Sequence, residues 1–397
     1  MSPLKPKRRL YLIISTFLAM LIMAITDSTK GILVPTFKET FNVTDTKIGT
    51  FLLIGSIVYM ITTYYGSKIC DHIGQKKSIV IGMTIAGLGF LLTSFSQVFL
   101  HIIVGYIIIT IGIALMTIGM NTVIPLLKVG YIGLLMNWLH FFYGVGSTLT
   151  QKVTGYLLYT GISWRLVFRG YFLLYLLGIA LYLFVRQPEE SHEEKMAKKN
   201  PIQHKGLLIA SCLALGFYVA GELQTSNWML NYLQEAKGFN TNEGATYVAL
   251  FFGIFSIGRL LGGFVLDRIG YMKSIILSTS LAFILYTAGL AIGGKALYLM
   301  SFSGLFFAIT FPTFVTVIQK TFVHNATRAT AIVSTSASGV AMIVSYLIGV
   351  LNDIIGPEIT IYIIPLSVFL CLVFMIGIYK KLLHMQAQDG NTITLKL

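Results

Sequence analysis

Two carboxyl groups, Asp27 and Glu222, lie inside long apolar stretches of this chain. An acid at the centre of a bilayer costs roughly 2.5–3.5 kcal/mol, so it marks either a partner or a task. Glu222 has no basic residue within a helical turn, which suits it to reversible protonation, to binding a ligand hydroxyl, or to both. The structural alternative is a protonated Glu bonded to a neighbouring helix. Asp27 has Lys30 three residues on, hence on the same helical face. They form either a self-neutralising pair or a charge pair that lines a cavity and exchanges partners. Asn137, His140 and Gly144 recur at i, i+3 and i+7, and Asn121 precedes them. Neutral polar side chains on one stripe supply the paired donors and acceptors that a hydroxyl-rich ligand needs; they also hold helices together in lipid. His140 reads as a proton relay or as a satisfied structural histidine. Gln224, Asn227, Trp228 and Asn231 share a face, whereas Glu222 stands about 140° from Asn227 on an ideal helix. Both reach one cavity only if the helix opens near Gly221. Trp228 offers a flat surface for an apolar ring face, or it belongs to an interfacial aromatic belt. Arg259 reads as a gate residue or a snorkelling base.

The elements that must position these groups are membrane spans. Only 11% of the 397 residues are charged, against about a quarter in soluble domains, while 55% are hydrophobic and the mean hydropathy is +0.79. Too few charges remain to cover soluble cores. Stretches 10–34, 47–67, 78–96, 98–127, 131–158, 164–186, 206–233, 245–266, 273–293, 296–319, 328–351 and 359–380 each approach the 20 or so apolar residues that a spanning helix needs. The prediction is an all-α integral membrane protein with twelve transmembrane helices in two pseudo-symmetric six-helix bundles, 1–186 and 206–397, joined by a cytoplasmic linker over 187–205. The first run lacks a small-residue cleavage site and continues past Asp27 and Lys30, so it is read as uncleaved. The net charge of +14 is a matter of topology rather than of nucleic-acid binding, because the bases sit in short gaps between apolar runs. Roughly 20 of them fall on the N-terminal side and roughly 8 on the other, which places both termini in the cytoplasm of a cell-membrane protein. Cys70, Cys212 and Cys371 form neither a disulfide framework nor a metal pattern. No phosphate loop, zinc spacing or nucleophile elbow is present, so neither an enzyme nor a cofactor is expected.

An internal repeat ties the halves together. Gly66, Asp71, Gly74, Lys76 and Lys77 between spans two and three match Gly262, Asp267, Arg268, Gly270 and Lys273 between spans eight and nine. In this form the chain resembles the major facilitator superfamily over its whole length. The resemblance implies that Asp71 and Asp267, with Lys76, Lys77 and Arg268 as partners, latch the cytoplasmic side closed when the cavity faces outward. The alternative is that the loops only set topology. Three further segments resemble the fucose-permease-like and glucose/galactose-transporter-like branch: 31–41, 137–155 and 218–232. The departures are informative. Gly31 stands where fucose permeases carry an acid, Thr117 replaces another acid, and Gln151 replaces a fifth-helix proline, so coupling has to use the acids present.

The resulting expectation is a secondary transporter, functional as a monomer in the bilayer, that moves a neutral sugar or polyol with protons by alternating access. Substrate contacts would come from Asn121, Asn137, His140, Glu222, Gln224, Asn227, Trp228 and Asn231, and proton coupling from Glu222 or Asp27. A proton-coupled drug or metabolite exporter is the first rival. A non-transporting sensor on the same scaffold is the second.

Overall fold

The computed structural model describes residues 6–127, 129, 132–185 and 203–388. It is built from helices, with no strand among the described residues. In chain order they are α1 (Pro6–Asp27), α2 (Thr29–Phe41), α3 (Asp45–Ile73), α4 (Gln75–Thr93), α5 (Phe99–Val123), α6 (Ile132–Tyr159), α7 (Trp164–Leu183) and α8 (Lys205–Glu235). There follow α9 (Thr241–Ile269), α10 (Tyr271–Ile292), α11 (Tyr298–Phe302), α12 (Gly304–Phe307), α13 (Thr310–Thr321), α14 (Ala326–Ile355), α15 (Pro357–Thr360) and α16 (Ile363–Gln388). Among the described residues, eleven helical runs are long and apolar enough to cross a membrane. The predicted fifth span, α6, completes the twelve by its 28-residue length and its packing. It is less apolar because Asn137, His140, Thr150 and Gln151 interrupt it.

Two predicted spans are not single helices. The first breaks at Ser28 and then runs on as α2 to Phe41, past the predicted end at 34. The tenth is assembled from α11, α12 and α13, with turns at 303 and at 308–309. Composition alone does not show either break, because the broken carbonyls are satisfied by side chains from elsewhere in the sequence, as the site shows.

Spans alternate in direction, so the face where α1 starts is termed inner, and the face where α2 ends and α3 begins is termed outer. The sequence repeat is also a structural one. Gly74 (φ 84°, ψ 155°) joins α3 to α4 and Gly270 (φ 88°, ψ 167°) joins α9 to α10, each in a positive-φ conformation that glycine tolerates without strain. The first six spans pack mainly as α4 on α5 and α7, α3 on α5, and α1 on α6 and α7. The last six pack as α8 on α14 and α16, α10 on α16, and α9 on α12. Three pairs bridge the two sets: α2 with α8, α3 with α14, and α6 with α9. Large apolar side chains such as Leu100, Leu173, Phe184 and Ile354 are exposed, the arrangement expected of a surface solvated by lipid.

Candidate functional site

Between the bridging pairs lies a polar cavity. Asp27, Ser28, Lys30, Tyr106 and Tyr143 line it from the first six spans, and Glu222, Gln224, Ser226, Asn227 and Ser345 from the last six. Lys30 Nζ is 2.8 Å from Asp27 Oδ1, and the Tyr143 hydroxyl donates to Asp27 Oδ2 at 2.8 Å. The Lys30 ammonium lies 5.9 Å from the Tyr106 ring centroid. The Asp27 carboxylate is thus bonded through both oxygens, to a cation and to a phenol.

The break at Ser28 places this pair. The Ile25 carbonyl, left free by the break, accepts from Thr29 Oγ1 at 2.9 Å and from Thr150 Oγ1 at 2.7 Å. The Ser28 carbonyl accepts from Gln151 Nε2 at 2.9 Å, and Ser28 Oγ donates to Ser147 Oγ at 2.7 Å. Exposed backbone groups are tolerated at membrane depth only when neighbouring side chains re-satisfy them. Gln151 therefore has a structural task at the position where the resembled branch carries proline. Tyrosines on α7 hold the same two helices: Tyr171 accepts from Thr29, Tyr175 pairs with Thr26, and Tyr182 pairs with Thr16.

Helix α8 contributes Glu222, Gln224 and Asn227 to one cavity without unwinding. The expected opening near Gly221 does not occur. The cavity instead wraps around α8, so residues well over 100° apart on it reach the same space. The Tyr218 hydroxyl donates to the Phe307 carbonyl at 2.6 Å, where the tenth span is broken, and Gln224 Nε2 donates to the Ala341 carbonyl at 2.9 Å. Glu222 lines the cavity one turn beyond Tyr218 on the same helix.

The outer side of this cavity is closed. Gly31 packs on α8 so tightly that a Cβ there would lie 1.9 Å from the Ser226 carbonyl oxygen, and a Cβ on Gly349 would lie 2.4 Å from that of Asp45. Lys38 pairs with Asp45 at 2.8 Å and with Glu235. The Asp353 carboxylate on α14 accepts the backbone N–H groups of Asp45 (2.9 Å) and Thr46 (2.8 Å), capping α3 from across the bridge. Lys152 on α6 donates to Asn242 Oδ1 and Thr246 Oγ1 on α9. In the turn after α8, Lys237 bonds to Glu358 at 2.7 Å, and that carboxylate raises the lysine pKa above its ordinary value.

Towards the inner face the bridging pairs separate. A cavity of about 510 Å³ opens between Tyr59–Tyr65 of α3 and Ser334, Thr335 and Ser338 of α14. Another of about 470 Å³ lies among α6, α9 and α13. The central cavity measures only about 70 Å³, well below the 300–1,000 Å³ or so of ligand pockets.

The structure divides the predicted site residues into groups. Asp27, Glu222, Gln224 and Asn227 share the central cavity. Asn137 and His140 line the α6–α9–α13 cavity with Arg259, not the central one. Trp228 is 1% exposed, packed in the core and neither in the cavity nor at an interface; its neighbours on α8, Ser226 to Leu233, are buried around it. Asn231 is buried, with its amide 3.5 Å from Glu235 Oε2. Asn121 is part-buried and lines neither cavity. Of the inner-face latch, Asp71, Lys77 and Arg268 are exposed and form no ion pair among the described residues, and Lys76 bonds the Leu183 carbonyl within the first six spans. The side chain of Asp267 and most of the linker over 187–205 lie outside the described residues.

Sequence reasoning missed Tyr143, Tyr106, the Thr–Tyr bonds and the whole outer closure. One signal was available: Asp353-Ile-Ile-Gly356 repeats the Asp-x-x-Gly of the two loops, and Gly356 adopts the same conformation (φ 80°, ψ 159°).

A model of the Major Facilitator Superfamily matches residues 12–346, and the chain belongs to that family. A putative glucose/galactose transporter of Helicobacter pylori is 25% identical over 170 residues, which is 42% of this chain and 42% of that protein's length. The glucose/galactose transporter of Brucella abortus is 22% identical over 347 residues, 82% of this chain and 84% of that one. The crystal structure of a D-xylose-proton symporter shares the fold, with a TM-score of 0.74 at 15% identity, covering 92% of this chain and 97% of the other.

Proposed function

We propose that the protein is a cell-membrane symporter that moves a sugar or polyol together with protons by alternating access. Its two bundles, 1–186 and 206–397, rock about the central cavity, both termini lie in the cytoplasm, and the inner face is the cytoplasmic one. The observation that carries this reading is a polar cavity, built from both sets of spans, that is closed on one face while the same helices separate on the other. Relatives named as glucose/galactose transporters support the sugar class. In this reading Gln224 and Asn227 bond substrate hydroxyls, Asp27 and Lys30 hold a charge pair that can exchange partners, and Glu222 takes up the coupling proton. A cavity of about 70 Å³ holds one or two waters at about 30 Å³ each; the bundles must therefore part further before substrate enters. Lys38, Asp45, Glu235 and Asp353 latch the outer face, and Asp71, Lys76, Lys77, Asp267 and Arg268 latch the inner face in the opposite state.

The test is transport in proteoliposomes by Glu222→Gln. Uphill accumulation driven by a proton gradient should disappear while exchange between loaded vesicles persists. Loss of exchange as well would make Glu222 a binding or structural residue, and unchanged accumulation would remove it from coupling.

A further inference from the structure

The buried cations of this protein are not equally satisfied. Lys30 is neutralised by Asp27, and Lys38 by Asp45 and Glu235. Arg259 has no carboxylate within ion-pair distance among the described residues. Its guanidinium lies 4.4 Å from the Phe255 ring centroid, and its Nε is shielded from solvent without a hydrogen-bond partner. A ring face is a weak substitute for an anion, and an uncompensated cation at membrane depth is costly. The inner cavity that Arg259 lines, about 470 Å³ with Asn137, His140 and Thr313 on its walls, falls within the range of ligand pockets. The Thr313 hydroxyl is likewise buried without a partner.

A planar guanidinium with unused donors matches a carboxylate, which it can grip through two parallel hydrogen bonds. Asn137 adds an amide donor to the wall of the same cavity. The carboxylates that line the central cavity, Asp27 and Glu222, would repel an anion there, so the acid group of a ligand belongs in the Arg259 cavity. We propose that Arg259 and Asn137 form a carboxylate subsite that selects sugar acids, such as hexuronates and aldonates, over their neutral counterparts. This rests on the sugar-transport reading and narrows it.

The experiment uses full-length protein in phosphatidylcholine vesicles and compares exchange and binding of glucuronate and galacturonate with glucose and galactose. The expected result is a preference for the acids of about tenfold or more, as suits a charge-assisted bidentate contact. Arg259→Gln should bring the acid-to-neutral ratio to about one, and Arg259→Lys should fall between because it keeps the charge but not the fork. The wild-type ratio stands as a test even if a variant fails to fold. Neutral hexoses preferred to, or equal with, the acids would overturn the subsite and leave the sugar reading intact. No exchange of either class would overturn both. Thermal stabilisation by phosphatidylglycerol vesicles without stabilisation by uronates would overturn the substrate subsite in favour of a lipid phosphate at the same guanidinium.

Discussion

The outer and inner halves of the seam between the first and last six spans are made by the same helices, α2 and α8, α3 and α14, α6 and α9, yet they are built in opposite ways. Outside, glycines bring backbones into contact, at Gly31 against Ser226 and Gly349 against Asp45, and ions cap what the glycines leave open. Inside, two of the pairs part around cavities of about 510 and 470 Å³. The difference teaches that a bias towards one closed end of the seam need not reside in the central cavity. At the outer end glycines let the backbones of two pairs approach closely, and Lys152 joins the third through Asn242 and Thr246.

The bias can be broken at its tightest point. Gly31→Ala places a Cβ 1.9 Å from a backbone oxygen that cannot rotate away, so we expect a loss of about 3 kcal/mol, the upper end of overpacking costs. Thermal unfolding in detergent should show that loss, and an impermeant maleimide should reach a cysteine at Ser345 from outside; unchanged labelling would mean that the outer seam tolerates separation. At the pivot, Lys30→Met leaves Asp27 with Tyr143 alone. The expected cost is about 2–3 kcal/mol, below the 3–5 kcal/mol of a fully buried pair because each side chain is 22% exposed. The double change Lys30→Met with Asp27→Asn should restore part of it, and failure of that rescue would show that the pair is not coupled. Asp353→Ala removes the cap supplied to α3 and should cost about 1 kcal/mol. Its counterpart Glu243→Ala, in the box that α9 closes with its own Asn240, should cost a similar amount of stability without raising maleimide access. Equal labelling in the two would erase the distinction between a cap across the seam and a local one. Lys38→Gln should have the smallest effect, about 1 kcal/mol, because the amide still donates to the buried Asp45 or to the part-exposed Glu235 and only the charge is lost. The increase in labelling should shrink as salt rises.

The fold was legible in the sequence because lipid imposes a length and a composition on each span, and because the Gly74 and Gly270 loops repeat in register. The first acid of the site was legible for the same reason: Asp27 is conspicuous in an apolar run. What escaped was pairing at long sequence separation. Nothing local to Gln151 says that it caps a carbonyl at Ser28, and nothing local to Lys38 says that it meets Glu235. The angle argument on α8 failed for a different reason. It assumed a cavity on one side of a straight helix, whereas the helix stands inside the seam and is lined on several sides. Asn137 and His140 were expected beside the other polar groups and line the inner cavity instead, because span depth alone does not separate a central cavity from an inner one.

The break at Ser28 has a consequence for biosynthesis. Its carbonyl partner Gln151 lies 123 residues further along the chain, and synthesis at about 5–20 residues per second puts about 6–25 s between the two. Through that interval the Ile25 carbonyl at the break has only the local bond from Thr29 Oγ1. The bonds that Ser147, Thr150 and Gln151 make to residues 25–28, and with them the setting of Asp27 and Lys30, can form only once the fifth span has been made.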